Sequence, residues 1–212
     1  MALRCLITAG PTREFLDPVR FLSNPSTGKM GFALAEAARE AGMTVDLVAG
    51  PVSLPEPEGV MLYPVVTAEE MFHQVDGLFG PCDLFLSVAA VSDWRPKVRL
   101  DRKVRREAGV PALELEPCPD ILRAMVARRR PGQVVVGFAA ETGDVEAGGR
   151  AKLASKGVDF LAANDVSGPS GAFGADTNRL VLLGADGSRR VLGPDTKAAV
   201  ARALIAAVAP SR

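Results

Sequence analysis

The 212-residue sequence predicts a single α/β domain over residues 1–212, a doubly wound, mostly parallel Rossmann-like sheet with an antiparallel hairpin extension. Three observations lead there. Short continuous apolar runs, among them Leu6–Ala9, Leu84–Ala89 and Val134–Phe138, read as strands covered on both faces. These runs alternate with segments of helical periodicity, as βαβ crossovers require. Near the C-terminus, two strand-like runs joined at Ala185-Asp186-Gly187 read as a hairpin.

The first strand, Leu6–Ala9, stops at Gly10-Pro11-Thr12-Arg13 in the manner of a buried strand ending at a phosphate-binding turn. Ser23-Asn24-Pro25-Ser26-Thr27-Gly28-Lys29-Met30-Gly31 then feeds into Phe32, Ala33, Leu34, Ala37 and Ala38, whose spacing predicts a helix from Lys29 to Ala41. That junction reads as an anion cradle. The first amides of a helix have no intrahelical partner and sit at its positive end, and Ser26, Thr27 and Lys29 add donors.

Gly42 supplies a helix-terminating position, and Thr44–Val48 is the second strand. Pro51, Pro55 and Pro57 mark an extended loop, after which Thr67 and Glu70 form a capping box for a helix carrying Met71, Phe72 and Val75. The strand Leu84–Ala89 ends in small residues, which let a planar ligand approach the backbone. Between Arg95 and Arg106, seven basic residues face one acid, Asp101, a local charge of +6. Repulsion at that density predicts a mobile flap that an anion would order.

Asp120 opens a helix through Ile121, Leu122, Met125 and Val126, ended by Pro131-Gly132. After the strand Val134–Phe138, a helix through Leu153 holds Lys152 and Lys156 one turn apart on one face. Phe160–Asn164 is a further strand. The hairpin follows as Arg179–Leu183 and Arg189–Leu192, and Thr196 caps a last helix over Ala198–Val208.

A 48% hydrophobic chain of this length can bury a sizeable core, and its zero formal net charge gives no global pull toward nucleic acid or a membrane surface. No apolar run of about 18 residues and no signal peptide is apparent, which predicts a soluble cytoplasmic protein. Cys5, Cys82 and Cys118 form no CxxC pair, and the one histidine, His73, falls in an amphipathic helix. Disulfides, zinc and histidine triads are therefore not expected. The chemistry must rest on Lys, Arg, Asn, Asp and backbone groups. The first strand is not followed by GxGxxG, and Lys29-Met30 breaks a P-loop pattern. A short-chain-dehydrogenase-like oxidoreductase would need such a fingerprint and a Tyr-x-x-x-Lys pair, whereas the one tyrosine, Tyr63, has Thr67 four places on. A non-enzymatic nucleotide-binding protein is the other alternative.

Ile7–Glu14, Asp17-Pro18-Val19-Arg20 and Ser23–Gly31 together resemble bacterial phosphopantothenoylcysteine synthetase. In bacteria that domain usually forms the C-terminal half of a bifunctional coenzyme A biosynthesis protein. The resemblance extends through Ala89–Trp94, Pro119–Leu122, Gly137–Thr142, Lys152-Leu153 and Ala163–Val166, essentially the whole chain. It implies a ligase that joins 4′-phosphopantothenate to L-cysteine. CTP would activate the carboxylate as an acyl-cytidylate with release of pyrophosphate, and the cysteine amine would then displace CMP. It further implies Mg2+, a homodimer built through the hairpin, and a separate phosphopantothenoylcysteine decarboxylase as a partner.

Carried over by resemblance, Asn24 and Lys103 are catalytic, Asn24 as a neutral donor to a developing oxyanion. Lys103 also belongs to the implied nucleotide site, with Gly10, Ser87, Val88, Ala89, Asp93, Pro119, Asp120, Ile121, Leu122, Phe138, Lys152 and Lys156. Ser26, Thr27, Gly28, Lys29 and Asn164 are the implied phosphate and substrate contacts. Asp93 suits a ribose hydroxyl, the cytosine amino group or magnesium, and Phe138 suits either the nucleotide or the core. The chain departs from the family in carrying Arg105 and Arg106 for lysines, which changes donor geometry, and Pro117-Cys118 before Pro119-Asp120.

Overall fold

The computed structural model describes residues 2–105, 107, 112–167 and 174–210. In chain order it runs β1 (Arg4–Ala9), β2 (Arg13–Asp17), β3 (Arg20–Ser23), α1 (Lys29–Glu40), β4 (Thr44–Ala49), β5 (Met61–Pro64), α2 (Ala68–Phe79) and β6 (Leu84–Ser87). It continues through β7 (Trp94–Pro96), β8 (Leu115–Pro117), α3 (Ile121–Ala127), β9 (Val134–Glu141), α4 (Val145–Lys156), β10 (Phe160–Asp165), β11 (Thr177–Gly184), β12 (Arg189–Thr196) and α5 (Lys197–Val208).

The main sheet has the order β12-β11-β10-β9-β6-β1-β4-β5. From β5 to β10 every neighbour is parallel, and β11 and β12 close that side antiparallel. Central strands must be apolar on both faces, and Cys5, Leu6 and Ile7 of β1 and Leu84, Phe85 and Leu86 of β6 are fully buried. One face packs on α1 and α5 through Leu34, Ala35, Ala38, Leu204 and Ile205. The other packs on α2, α3 and α4 through Met71, Val75, Ile121, Met125 and Leu153. The capping box of α2 is formed: Glu70 N–H donates to Thr67 Oγ1 at 3.2 Å, and Thr67 N–H to Glu70 Oε2 at 3.3 Å.

From β1 the chain steps outward to β4 and β5, then returns to β6 on the other side of β1. The connections leaving β1 and β6 therefore diverge, and a crevice opens at the C-terminal ends of these strands. The two loops are nevertheless tied at their base. Ala90 N–H donates to Gly10 O at 2.9 Å, and Ser92 N–H to Thr12 Oγ1 at 3.0 Å.

Several elements differ from the sequence reading. β6 stops at Ser87, because Val88 and Ala89 turn their amides onto Thr8 Oγ1, at 3.1 and 3.2 Å, instead of extending the ladder. α3 ends at Ala127, where Arg128 N–H turns back to Met125 O, so Pro131-Gly132 lies in the loop beyond. β5 adds an edge strand after the proline loop, and two small hairpins, β2–β3 and β7–β8, stand outside the main sheet.

The basic segment is the largest correction. Arg95 meets Glu69 and, at 2.8 Å, Glu116, while Lys97 meets Glu114 at 3.3 Å. Arg99 lies over the Phe15 ring at 4.9 Å, and Val104 donates to Asp17 Oδ2 at 3.3 Å and accepts from Arg20 at 3.1 Å. Carboxylates outside the run thus pair with Arg95 and Lys97, and Arg99 and Val104 rest on β2–β3, while Arg102, Lys103 and Arg105 are exposed. Arg106, part of that expectation, lies outside the described residues.

Candidate active site

A cavity of about 780 Å³ occupies the crevice, and its walls include every residue the sequence reading assigned to nucleotide, phosphate or substrate except Lys103. Gly10 comes from the end of β1, Ser87 to Ala89 from the end of β6, Phe138 from β9 and Asn164 from β10. Asn24 to Lys29 arrive on the loop into α1, Pro119 to Leu122 at the start of α3, and Lys152 and Lys156 on α4.

The cradle depends on backbone geometry. Gly10 and Gly28 have φ of +76° and +77°, and a Cβ on Gly28 would stand 2.8 Å from Val52 Cγ1. Gly31 lets α1 lie directly on β1, since a Cβ there would be 2.5 Å from Ala9 Cβ. No side chain caps α1 and no acid stands in its first turn, so its positive end faces the cavity without a protein anion of its own.

Asn24 Nδ2 donates to Ala90 O at 3.0 Å and to Val91 O at 3.2 Å. It therefore ties the α1 loop to the loop after β6, and both amide hydrogens expected to meet an oxyanion are engaged. Its Oδ1 is the atom left to accept from a ligand. The amides of Val88 and Ala89 are likewise engaged by Thr8, which leaves the carbonyls of this stretch as the acceptors for a base edge.

The cations of the cavity carry partners. Lys29 Nζ lies 2.6 Å from Asp176 Oδ1, Lys152 Nζ 2.8 Å from Glu141 Oε1, and Lys156 Nζ 2.5 Å from Asp120 Oδ2. Asp120 also caps α3 by accepting from Arg123 N–H at 3.1 Å. Burial works to raise the Asp120 pKa, but the hydrogen bonds from Lys156 and Arg123 outweigh it and hold the carboxyl below its usual value. Half-exposed pairs of this kind contribute about 0–1 kcal/mol, so a polyphosphate can take over their lysines at small cost. Phe138 packs against the core and, half-buried, also lines the cavity.

Lys103 is exposed and is not among the lining residues. The walls also include Cys118, which the sequence reading noted only as a departure from the family, and Asn178 and Lys197, which it did not single out. Burial pushes the Cys118 thiol up to about 11, so it stands in the cavity protonated at neutral pH. Lys197 did carry a signal. It opens α5, where a cation is disfavoured by the helix dipole. Among the described residues no group of three or more His, Cys, Asp or Glu could hold a metal ion, and no helix is long and apolar enough to cross a membrane.

Comparison with known proteins adds an independent line. The family described as DNA/pantothenate metabolism flavoprotein C-terminal domain matches residues 2–211. The coenzyme A biosynthesis bifunctional protein CoaBC of Bacillus subtilis (strain 168) is 46% identical over 188 residues, which cover 88% of this chain and 46% of that protein. The crystal structure of the C-terminal domain of a CoaBC protein superposes with a TM-score of 0.82 at 38% identity, covering 97% of this chain and 93% of that one. A Cab2 mutant in complex with phosphopantothenate-cysteine, 20% identical over 97% of this chain and 84% of its own, shares the fold at a TM-score of 0.78. The chain spans about half the length of the curated relatives it matches.

Proposed function

The chain belongs to the DNA/pantothenate metabolism flavoprotein C-terminal domain family, and from that premise we propose that it is a CTP-dependent phosphopantothenate–cysteine ligase of coenzyme A biosynthesis. One observation carries the reading. A helix start without an acid and two lysines on α4 converge, with Asn24, on one cavity at the switch point of the sheet. Such a cavity suits a ligand that is anionic along its length and has a planar end, as a nucleoside triphosphate does.

The chemistry explains why a nucleotide is needed. A free carboxylate resists an amine because it is anionic and oxide is a poor leaving group. In the first step a carboxylate oxygen of 4′-phosphopantothenate attacks the α-phosphorus of CTP, and the bond to pyrophosphate breaks. In the second, the L-cysteine amine attacks the acyl carbon of the mixed anhydride and loses a proton, and CMP departs with the electron pair of the broken C–O bond. The α1 amides, Ser26, Thr27 and Lys29 hold phosphate oxygens. Lys152 and Lys156 leave Glu141 and Asp120 for the nucleotide, and the Ser87–Ala89 carbonyls accept from the cytosine amino group. Asn24 keeps the loop after β6 in register, and its Oδ1 accepts from the attacking amine N–H.

Magnesium fits as a companion of the triphosphate and not as a resident ion. It asks for one or two carboxylates, and Asp93 is the cavity carboxylate we assign to it. When bound it offsets the charge of the triphosphate. Lys103 lies outside the cavity walls, and its part in catalysis is proposed from the resemblance alone. The second copy of the homodimer is proposed to sit on the outer hairpins, where Val19, Phe21, Trp94, Val98, Leu100, Leu113 and Leu115 are exposed. Among the described residues the β11–β12 hairpin, expected to serve, exposes Val191 alone as a large apolar side chain. The product is a carboxylate for a decarboxylase active site separate from this cavity, and the cytoplasm is the compartment that supplies CTP.

Release of pyrophosphate on mixing the protein with 4′-phosphopantothenate, cysteine, Mg2+ and a nucleotide tests the proposal. CTP should serve and chelation of the metal should stop the reaction. Comparable release with ATP would overturn the nucleotide choice, and no release with either would overturn the ligase reading.

A further inference from the structure

The loop that leaves β6 is oriented by a buried side chain that does not itself reach the cavity. Thr8, in β1, is 1% exposed and is not among the lining residues. It pairs in register with Ser87, the last residue of β6. Its Oγ1 accepts from Val88 N–H at 3.1 Å and from Ala89 N–H at 3.2 Å.

A trans peptide holds its carbonyl opposite its N–H, and the peptides of this loop are trans. The two peptides whose amides face Thr8 therefore turn the Ser87 and Val88 carbonyls away from it, and both residues line the cavity. The next amide is engaged as well: Ala90 N–H donates to Gly10 O at 2.9 Å. Asn24 covers the Ala90 and Val91 carbonyls further on, which leaves the start of the loop as the part open to a ligand. From residue 88 to residue 90 every amide has a protein partner, so this stretch of wall offers a ligand acceptors and no N–H donor. Such an edge is selective. A base with an exocyclic amine donates into it, whereas a base with a carbonyl at the same place sets oxygen against oxygen.

We propose that Thr8 is a specificity-determining residue: by holding the Val88 and Ala89 amides it makes the base edge of the cavity acceptor-only, so that an amino base such as cytosine is taken and uracil is rejected. The inference rests on the nucleotide reading above and adds the side chain, outside the cavity, that sets which base is taken. Thr8 touches no substrate and acts through the loop, as a positioning residue. Without Oγ1 the two amides have no partner in a dry interior, and their peptides turn over to present N–H groups to the cavity, where uracil O4 accepts.

Calorimetric titration with CTP, UTP and N4,N4-dimethyl-CTP, each with Mg2+ and without 4′-phosphopantothenate or cysteine, tests the assignment. The unaltered protein should bind UTP and the dimethyl analogue about tenfold or more weakly than CTP, as loss of a hydrogen bond that leaves an acceptor unpaired does. In Thr8→Val, which keeps the shape and removes the oxygen, the preference for CTP over UTP should fall about tenfold, with UTP bound more tightly than before. Thr8→Ser keeps Oγ1 and should keep the preference. A purely structural role for Thr8 would weaken both nucleotides together and leave their ratio unchanged. Equal binding of CTP and UTP by the unaltered protein, a ratio that Thr8→Val leaves untouched, or a ratio lost equally in Thr8→Ser would overturn the assignment. Because Thr8 is buried, the dimethyl analogue gives a test that needs no variant: binding as tight as that of CTP would mean that the amine is not read. A protein that binds none of the three overturns the nucleotide reading itself. One that binds them with this selectivity and releases no pyrophosphate keeps the role of Thr8 and sinks the ligase reading.

Discussion

Both amide hydrogens of Asn24 rest on the carbonyls of Ala90 and Val91, and that arrangement decides what its replacement does. Asn24→Asp keeps an acceptor toward the ligand but sets a carboxylate oxygen against the two carbonyl oxygens, so the loop after β6 loses its tie to the α1 loop. Loss of that tie should cost about 1–3 kcal/mol and slow amide formation, while pyrophosphate release survives. Product formation and pyrophosphate release, followed together, check this; equal losses would move Asn24 to the activation step. Lys103→Gln, at an exposed position, should leave the melting temperature unchanged and still slow product formation. Asp120 gives a pH test. Its folded pKa is depressed, so its stabilising contribution is present above the unfolded value and is lost as pH falls through the folded one. The urea-midpoint difference between the protein and Asp120→Asn should therefore shrink on acidification below about pH 4. A difference that stays constant down to pH 2 would separate Asp120 from that linkage. Gly10, Ala89 and Phe138 were legible as residues at the ends of apolar runs, while the α3 start and the α4 lysines entered with the resemblance. Asn178 was not legible, since β11 reaches the cavity only through the tertiary fold, and Lys197 carried only the signal of a cation at a helix start.

At the scale of elements, the contact between α1 and β1 sets the position of the cradle. Gly31→Ala would put a methyl 2.5 Å from Ala9 Cβ and 3.1 Å from Ala9 Cα, so helix and strand must part. A loss of about 1–3 kcal/mol in urea unfolding is expected, with weaker nucleotide binding if the helix start makes the proposed phosphate contacts. Unchanged stability would contradict the close packing. Elements that bury themselves were read correctly: β1, β9 and β10 are continuous apolar runs, and α2 announces its start with Thr67 and Glu70. The elements missed are held by partners far off in sequence. β7 and β8 are fixed by Arg95 with Glu116 and Lys97 with Glu114, and β2–β3 by Phe15 against Phe21, with Arg13 over that ring at 4.7 Å. A charge count over residues 95–106 sees none of those carboxylates, and so misses the partners that Arg95 and Lys97 find.

For the whole molecule, the order of the parallel strands sets where the crevice opens, and the outer hairpins carry the exposed apolar side chains proposed to meet a second copy. Trp94 and Val98, 55% and 67% exposed, lie at that outer surface. Sedimentation at micromolar concentration should give a dimer, and Val98→Asp should shift it toward monomer; a monomeric parent protein would rule the interface out. The claim on which the rest depends is that this cavity activates a carboxylate as a mixed anhydride with CMP. The protein mixed with CTP, Mg2+ and 4′-phosphopantothenate, without cysteine, then quenched and analysed by mass spectrometry, tests it directly. Phosphopantothenoyl cytidylate should accumulate together with pyrophosphate, and should give way to phosphopantothenoylcysteine and CMP when L-cysteine is added. Formation of CDP with an acyl phosphate, which would release inorganic phosphate only when cysteine is added, would contradict the account.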